Sequence, residues 1–302
     1  MFQFCRFLRV LGNLMVLFVL GLLLLSYVPV VGIVYGPMMV HPSGFGDFLG
    51  GFVVVLVFHA LGGMMLWSYF RCYLTGPGRV PAGWVPAGVP EELAGAGPPS
   101  REWLGQWDKR DPTRPRWCRK CAAWKPPRTH HCSMCGRCNL RMDHHCVWVV
   151  NCVGENNYKF FLLFLFYAFL ECLFAAVVLL PYFVKFFRGE VGAEGVIAVA
   201  FMAFIIDAAL ALALVGFIAM HVKLVLSNCT TIEAFEKGSV VPWPFDRGSR
   251  YENFREVFGF DKRLWLVPVP PGPQCRTVNL QPLVGPADRS APNALFEGGH
   301  QH

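Results

Sequence analysis

Between Cys118 and Cys152 the chain carries eleven side chains able to ligate a metal or act as a nucleophile: Cys118, Cys121, His130, His131, Cys132, Cys135, Cys138, His144, His145, Cys146 and Cys152. The CxxC pairs Cys118/Cys121 and Cys132/Cys135, with Cys138 spaced for an overlapping third, have the knuckle spacing of structural zinc, in which four N/S ligands close a tetrahedron. Two closed sites use eight ligands and leave three over, and spacing alone does not say which. A free thiol beside two histidines has its thiolate favoured by nearby cationic groups, so the surplus points to a nucleophile as well as to metal.

The elements that must position this segment are membrane helices. The 302 residues are 54% hydrophobic and 15% aromatic, and the mean hydropathy is +0.42, too apolar for an ordinary soluble domain. Runs at Val10 to about Val34, Phe48 to about Phe70, Phe160 to about Phe183, and about Val196 to Leu226 are each long enough to cross a hydrocarbon core of ~30 Å as a helix. The first run exceeds the apolar region of a signal peptide and has no clear small-residue cleavage site, so it reads as a retained helix. Arg6 and Arg9 precede it, Arg71 and Arg79 follow the second run, and no Lys or Arg lies between the two. That asymmetry places both termini in the cytoplasm, although Lys185 and Arg188 after the third run weaken the rule. In such a protein the formal net charge of +7 speaks for topology, anionic lipid or a phosphate-bearing ligand rather than nucleic acid.

The expected fold is an all-α integral membrane protein, its four transmembrane helices carrying a cytoplasmic two-zinc cysteine-rich domain between the second and third. Residues 1–71 hold the first two spans, 72–106 a Pro/Gly-rich linker, 107–157 the cysteine-rich domain, and 158–227 the last two spans. Residues 228–302 form a cytoplasmic C-terminal region with short helices near Thr230–Lys237 and Tyr251–Phe260 and a disordered tail from Pro268. With few aliphatic residues, the segment from Trp107 needs metal to fold. Its cytoplasmic location disfavours disulfides.

Asp143-His144-His145-Cys146 resembles the signature of the DHHC protein S-acyltransferases, the palmitoyltransferases. CRKC at Cys118, KPPRTHHC from Lys125, NCVGENNYKFF from Asn151, TTIE at Thr230 and YENFREVFG from Tyr251 are similar to further family elements in the family's order. The resemblance implies one zinc on Cys118, Cys121, His131 and Cys138 and another on Cys132, Cys135, His145 and Cys152. It implies Cys146 as nucleophile, His144 as base and Asp143 as the carboxylate that orients it, with Thr230, Thr231, Glu233 and Asn253 in supporting motifs and His130 unassigned. The implied reaction moves a palmitoyl or other long-chain acyl group from acyl-CoA through Cys146 to membrane-proximal cysteines of substrate proteins, in the endomembrane system or plasma membrane.

Such a chain needs an apolar slot, for which Trp148, Phe161 and Phe164 are candidates, and the CoA phosphates need cations such as Arg116, Lys125 and Arg128. Glu171 lies about 20 Å into the third span, counted from Tyr158 at 1.5 Å per residue, on one stripe with Phe164, Ala168 and Ala175. As a neutral acid it would form a polar floor to the slot, with Ser26 or Tyr27 at comparable depth as hydrogen-bond partners and Asp207 a poorer one. Cys5, Cys72 and Cys229, near cytoplasmic helix ends, are candidates for self-acylation.

Family members usually read CPWVNNC where this chain has CVWVVNC, so Val147 replaces a proline and Val150 an asparagine, and Gly76 stands where an aspartate is usual. These departures leave the reacting groups in place. A membrane-anchored zinc adaptor of ubiquitin-ligase type is the alternative from another class, but ring-type ligand spacing is absent and it gives Cys146 no use. A catalytically silent family member is the nearer alternative.

Overall fold

Among the described residues, four helices are long and apolar enough to cross a membrane: Leu14–Val40, Phe45–Leu74, Tyr158–Phe187 and Gly195–Leu226. The structure, a computed structural model, describes residues 2–86, 89, 111–189, 194–236 and 242–275. Much of the linker, the Cys5 side chain and everything after Cys275 lie outside the described residues. The protein is a multi-pass membrane protein in which a cysteine-rich domain follows the second span and precedes the third.

The first span is not one regular helix. α1 (Phe2–Tyr27) passes into a π-helical stretch, Val28–Tyr35, before α2 (Gly36–Val40). Pro29 has no N–H to give, and the widened turn absorbs that loss without breaking the span. Tyr35 Oη anchors the distorted region by donating to the Val178 carbonyl at 2.7 Å. α3 (Phe45–Leu74) and α5 (Glu194–Leu226) flank α4 (Tyr158–Phe187), which packs on both. α4 is therefore the most buried of the four, with Phe160, Phe161, Leu163, Ala175 and Leu179 inside.

Between α3 and α4 three antiparallel hairpins follow one another: β1 (Arg116–Cys118) with β2 (Ala123–Lys125), β3 (His130–Cys132) with β4 (Arg137–Asn139), and β5 (His144–Cys146) with β6 (Asn151–Val153). These short strands are the one departure from an all-α reading. Each hairpin turns through a residue in the left-handed region, Ala122 at φ 48°, Gly136 at 65° and Val150 at 49°. Glycine suits that conformation, whereas a β-branched residue is strained in it. The expected asparagine would tolerate it, so Val150 carries a real cost. Its side chain is accommodated by Gly12 of α1, where a Cβ would come within 2.4 Å of Val150 Cγ1.

The hairpins are fastened to the membrane helices through backbone carbonyls. Asn151 Nδ2 donates to the carbonyls of Cys72 and Thr75 at 3.1 and 2.9 Å, and Asn157 Nδ2 also reaches Thr75 O at 3.0 Å. After α5 come α6 (Thr231–Glu236) and α7 (Arg250–Phe258), the latter capped by Ser249 Oγ, which accepts from Glu252 N at 3.1 Å. The chain beyond Pro268 does not begin as disorder. Pro268 is buried, a 3₁₀ turn spans Pro273–Cys275, and just upstream Tyr167 Oη holds the Leu266 carbonyl at 2.8 Å.

Candidate active site and metal centres

Hairpin pairing decides which eight ligands group together. His131 faces Cys138 across β3–β4, and His145 faces Cys152 across β5–β6. Each facing pair joins the CxxC knuckle of the preceding hairpin, giving Cys118, Cys121, His131 and Cys138 in one cluster and Cys132, Cys135, His145 and Cys152 in the other. The ligand atoms of each lie within 4.8 Å of one another. Three thiols and one imidazole suit a tetrahedral ion with soft ligands.

The arrangement exposes a repeat that residue spacing had already written. Cys118, Cys132 and Cys146 are fourteen residues apart, as are Cys121, Cys135 and Val149, and the left-handed positions Ala122, Gly136 and Val150 follow the same period. Cys146 is thus the first cysteine of a third knuckle whose second cysteine is a valine, buried at 0% exposure, and with no following hairpin to complete it. A ligand position without a site leaves a thiol free.

Beside Cys146, His144 Nδ1 donates to Asp143 Oδ2 at 2.6 Å. Asp143 is 1% exposed and is held from its other side by α6, where Thr231 N donates to Oδ1 at 2.8 Å and Thr231 Oγ1 to Oδ2 at 2.9 Å. Burial alone would raise the Asp143 carboxyl, but the hydrogen bond and charge of His144 and the Thr231 N–H outweigh it and hold it below its ordinary value. Burial likewise opposes a charged His144, and hydrogen bonding and charge from Asp143 and Cys146 overcome this and raise it to about 9. A raised imidazole stabilises the fold fully below its unfolded value near 6.5, and that contribution fades as pH rises through about 9. Asp143→Asn should therefore lower the melting temperature most at pH 6, with the gap from the parent narrowing towards pH 9.5. A gap that does not change with pH would mean that the ion pair is absent.

A cavity of about 560 Å³ lined by Cys146 and His144 runs between the helices. Trp148, Phe161 and Phe164 line it, as does Glu171. Phe161 also packs edge-on against the His144 ring at 5.1 Å between centroids, so one aromatic residue serves both the slot and the imidazole. Tyr69 Oη donates to the Trp148 carbonyl at 3.0 Å and steadies the turn next to Cys146.

Three sequence readings need correction. Arg128 is not available to phosphate: it is 2% exposed and its Nε and Nη2 both donate to Glu233 at 2.7 Å. Burial is tolerable there because the guanidinium is satisfied, Nη1 also donating to Asn228 Oδ1 at 3.1 Å. Second, Ser26 donates to Asp207 at 2.6 Å, Tyr27 Oη pairs with His59 at 3.4 Å, and Asp207 acts electrostatically on Glu171. The expected partners of Glu171 are thus engaged elsewhere, and Asp207 makes no hydrogen bond to it among the described residues. Third, Cys72 and Cys229 are buried, at 0% and 3% exposure, rather than presented at the surface.

Arg116 and Lys125 pair across β1–β2 and remain partly accessible. Arg116 also donates to the ring of His130 at 3.3 Å, which gives His130 a hydrogen-bonding role. In the TTIE segment Thr230 and Glu233 form a reciprocal cap, with Thr230 N donating to Glu233 Oε2 at 2.9 Å and Glu233 N to Thr230 Oγ1 at 3.2 Å. Asn253 ties α7 to the end of α5 through Leu226 O at 2.9 Å. Sequence reasoning missed His221, which is 1% exposed on α5, hydrogen-bonded to Tyr158 Oη at 3.1 Å, with its ring 6.0 Å from that of His144. Its signal was available, since an ionisable residue inside a span is a functional candidate by default.

Residues 111–238 match the model of the DHHC palmitoyltransferase family. Probable protein S-acyltransferase 14 of Arabidopsis thaliana is 47% identical over 273 residues, 88% of this chain and 87% of the relative. Probable protein S-acyltransferase 13 of the same plant is 48% identical over 274 residues, 89% of this chain and 88% of the relative. Palmitoyltransferase ZDHHC20 of Homo sapiens is 36% identical over 157 residues, 51% of this chain and 43% of the relative. With two interleaved Cys/His clusters, a thiol left over beside an Asp–His pair, and two plant relatives matched over 87% and 88% of their length, this chain belongs to the DHHC palmitoyltransferase family.

Proposed function

We propose that this protein transfers a long-chain acyl group, palmitoyl foremost, from acyl-CoA to membrane-proximal cysteines of substrate proteins through an acyl-Cys146 intermediate. Cys146 carries the reading: it belongs to neither metal cluster and lines an apolar cavity beside His144. Asp143 orients His144, which holds the Cys146 proton as an imidazolium and leaves the sulfur as thiolate. The thiolate attacks the thioester carbonyl, the carbon–sulfur bond to Cys146 forms, and the bond to CoA breaks. The CoA thiolate leaves with the proton from the imidazolium. A substrate cysteine then repeats the exchange and regenerates Cys146. Two thioesters differ little in energy, so the exchange needs positioning more than driving force.

Two zinc ions on Cys118, Cys121, His131, Cys138 and on Cys132, Cys135, His145, Cys152 suit a structural role, since four protein ligands leave no open coordination position. Arg116 and Lys125 are the remaining candidates for the CoA phosphates. Thr231 positions Asp143, while Thr230, Glu233 and Asn253 hold the segment that carries Thr231. The positive-inside pattern supports cytoplasmic termini in a membrane of the endomembrane system or at the plasma membrane, with the bilayer and substrate proteins as partners and no role for nucleic acid. Incubation with palmitoyl-CoA should place a hydroxylamine-sensitive acyl adduct on Cys146, and a parent protein without that adduct would remove the proposal.

The cavity is the acyl slot in this reading, with Trp148, Phe161 and Phe164 as its walls and Glu171 as its floor. Burial at ~0.8 kcal/mol per methylene makes slot length matter for affinity. Glu171→Ala or Leu should shift autoacylation towards longer acyl-CoAs. A chain-length profile identical to that of the parent, in protein that retains its zinc, would rule the floor out.

A further inference from the structure

An acyl slot needs only apolar walls, yet a carboxyl lines the far end of this one. Glu171 lines the cavity, is 4% exposed, and its Oε1 has no hydrogen-bond partner among the described residues. Asp207, 1% exposed on α5, lies within electrostatic reach of Glu171, and its Oδ2 is likewise unpartnered among the described residues. Ser26 of α1 lines the same end of the cavity and spends its hydroxyl on Asp207 Oδ1 at 2.6 Å. On α3, Gly62 leaves room for the carboxyl, because a Cβ there would sit 3.5 Å from Glu171 Oε1. Two of the residues lining this end, Ser26 and Glu171, are therefore polar, and Glu171 Oε1 has its hydrogen-bonding capacity unused among the described residues.

Leaving a buried polar atom unpaired is destabilising, the more so when it is ionisable. The methyl end of a fatty acyl chain cannot satisfy such an atom. A hydroxyl can, as donor and acceptor at once. The distance is suitable too: Glu171 is ten residues beyond Phe161 on α4, about 15 Å at 1.5 Å per residue, and Phe161 marks the level of the reacting groups through its contact with His144. An acyl group attached to Cys146 and laid along α4 therefore presents its far end to Glu171.

We propose that the far end of the cavity is a hydrogen-bonding subsite for a polar acyl terminus, so that the protein takes ω-hydroxylated long-chain acyl-CoAs as well as, and in preference to, their methyl-ended counterparts. The inference rests on the acyl-transfer reading above and names its substrate class more closely. A site that hydrogen-bonds a substrate hydroxyl discriminates against the analogue lacking it more sharply than an apolar pocket discriminates by size.

The test is a competition on the full-length protein in lipid nanodiscs. Equal amounts of lauroyl-, myristoyl- or palmitoyl-CoA and the matching ω-hydroxyacyl-CoA are offered, and the two Cys146 adducts are compared by mass spectrometry. For at least one chain length the hydroxylated adduct should dominate in the parent. The ratio should fall roughly fivefold to tenfold in Glu171→Leu, the worth of one net hydrogen bond, and should be largely kept in Glu171→Gln, which still donates and accepts. A parent that favours methyl-ended chains at every length, or a ratio unchanged in Glu171→Leu, overturns the subsite, and the first of these decides the matter even if the leucine variant does not fold. Absence of either adduct on Cys146 in the parent is a different failure, that of the acyl-transfer reading itself.

Discussion

Cys146→Ser is expected to abolish the hydroxylamine-sensitive adduct and all transfer to substrate while both metal ions stay bound. The reason lies in the fourteen-residue repeat. Its first two cysteines, Cys118 and Cys132, are each surrounded by three further ligand groups, whereas Cys146 occupies the same hairpin position with Val149 where a second cysteine would be. Serine is close in size, and the site is 6% exposed in the parent, so the hairpin should persist. The hydroxyl is a far weaker nucleophile at this position, because His144 is arranged to work with a thiol. The measurements are metal content by mass spectrometry and acyl label after incubation with palmitoyl-CoA. Loss of about half the zinc would show that Cys146 is a ligand and that the grouping of the clusters is wrong.

Cys132→Ala and His145→Ala should do more damage, since they remove activity and the fold of the cysteine-rich domain together. Around this cluster the buried apolar core is small, comprising Cys132, Met142 and Cys152 with Ile232 and Cys135 packed at its edge. Burial on that scale does not hold three hairpins together. Structural zinc contributes about 10–16 kcal/mol of binding energy in isolated finger peptides, and here that energy becomes folding energy. Limited proteolysis should therefore cut both variants between α3 and α4 at protease levels the parent resists, and one zinc per chain should be lost. A digestion pattern like the parent's would mean that these residues hold no metal. Asp143, bonded to Thr231, lies on the same hairpin assembly, so the active site should loosen with the cluster.

Sequence reading succeeded where the physics is local. Four spans were legible because crossing a bilayer requires about 20 consecutive apolar residues, and such a run is visible without knowing what it packs against. Metal chemistry was legible because the CxxC knuckle is a single turn of chain. The α6 start was written as Thr230-x-x-Glu233, a cap that reads in four residues. Even the identity of the spare thiol was present as a period of fourteen, although it takes the hairpins to show why that period exists.

By itself the sequence determined that this is a four-span membrane protein with ligands for two metal sites and three ligand-type side chains to spare, since hydropathy, ligand type and knuckle spacing are properties of neighbouring residues. Tertiary structure alone decided partnership. Arg128 sits in a basic stretch that invites phosphate, yet it is spent on Glu233, 105 residues away, and no local pattern distinguishes a buried arginine from an exposed one. Ser26 offered itself as a partner for Glu171 on depth alone, yet its hydroxyl is spent on Asp207 of another helix. His221 became part of the site for the same reason: its place beside His144 depends on how α5 lies against α4, and that is set by side-chain packing between helices far apart in the chain.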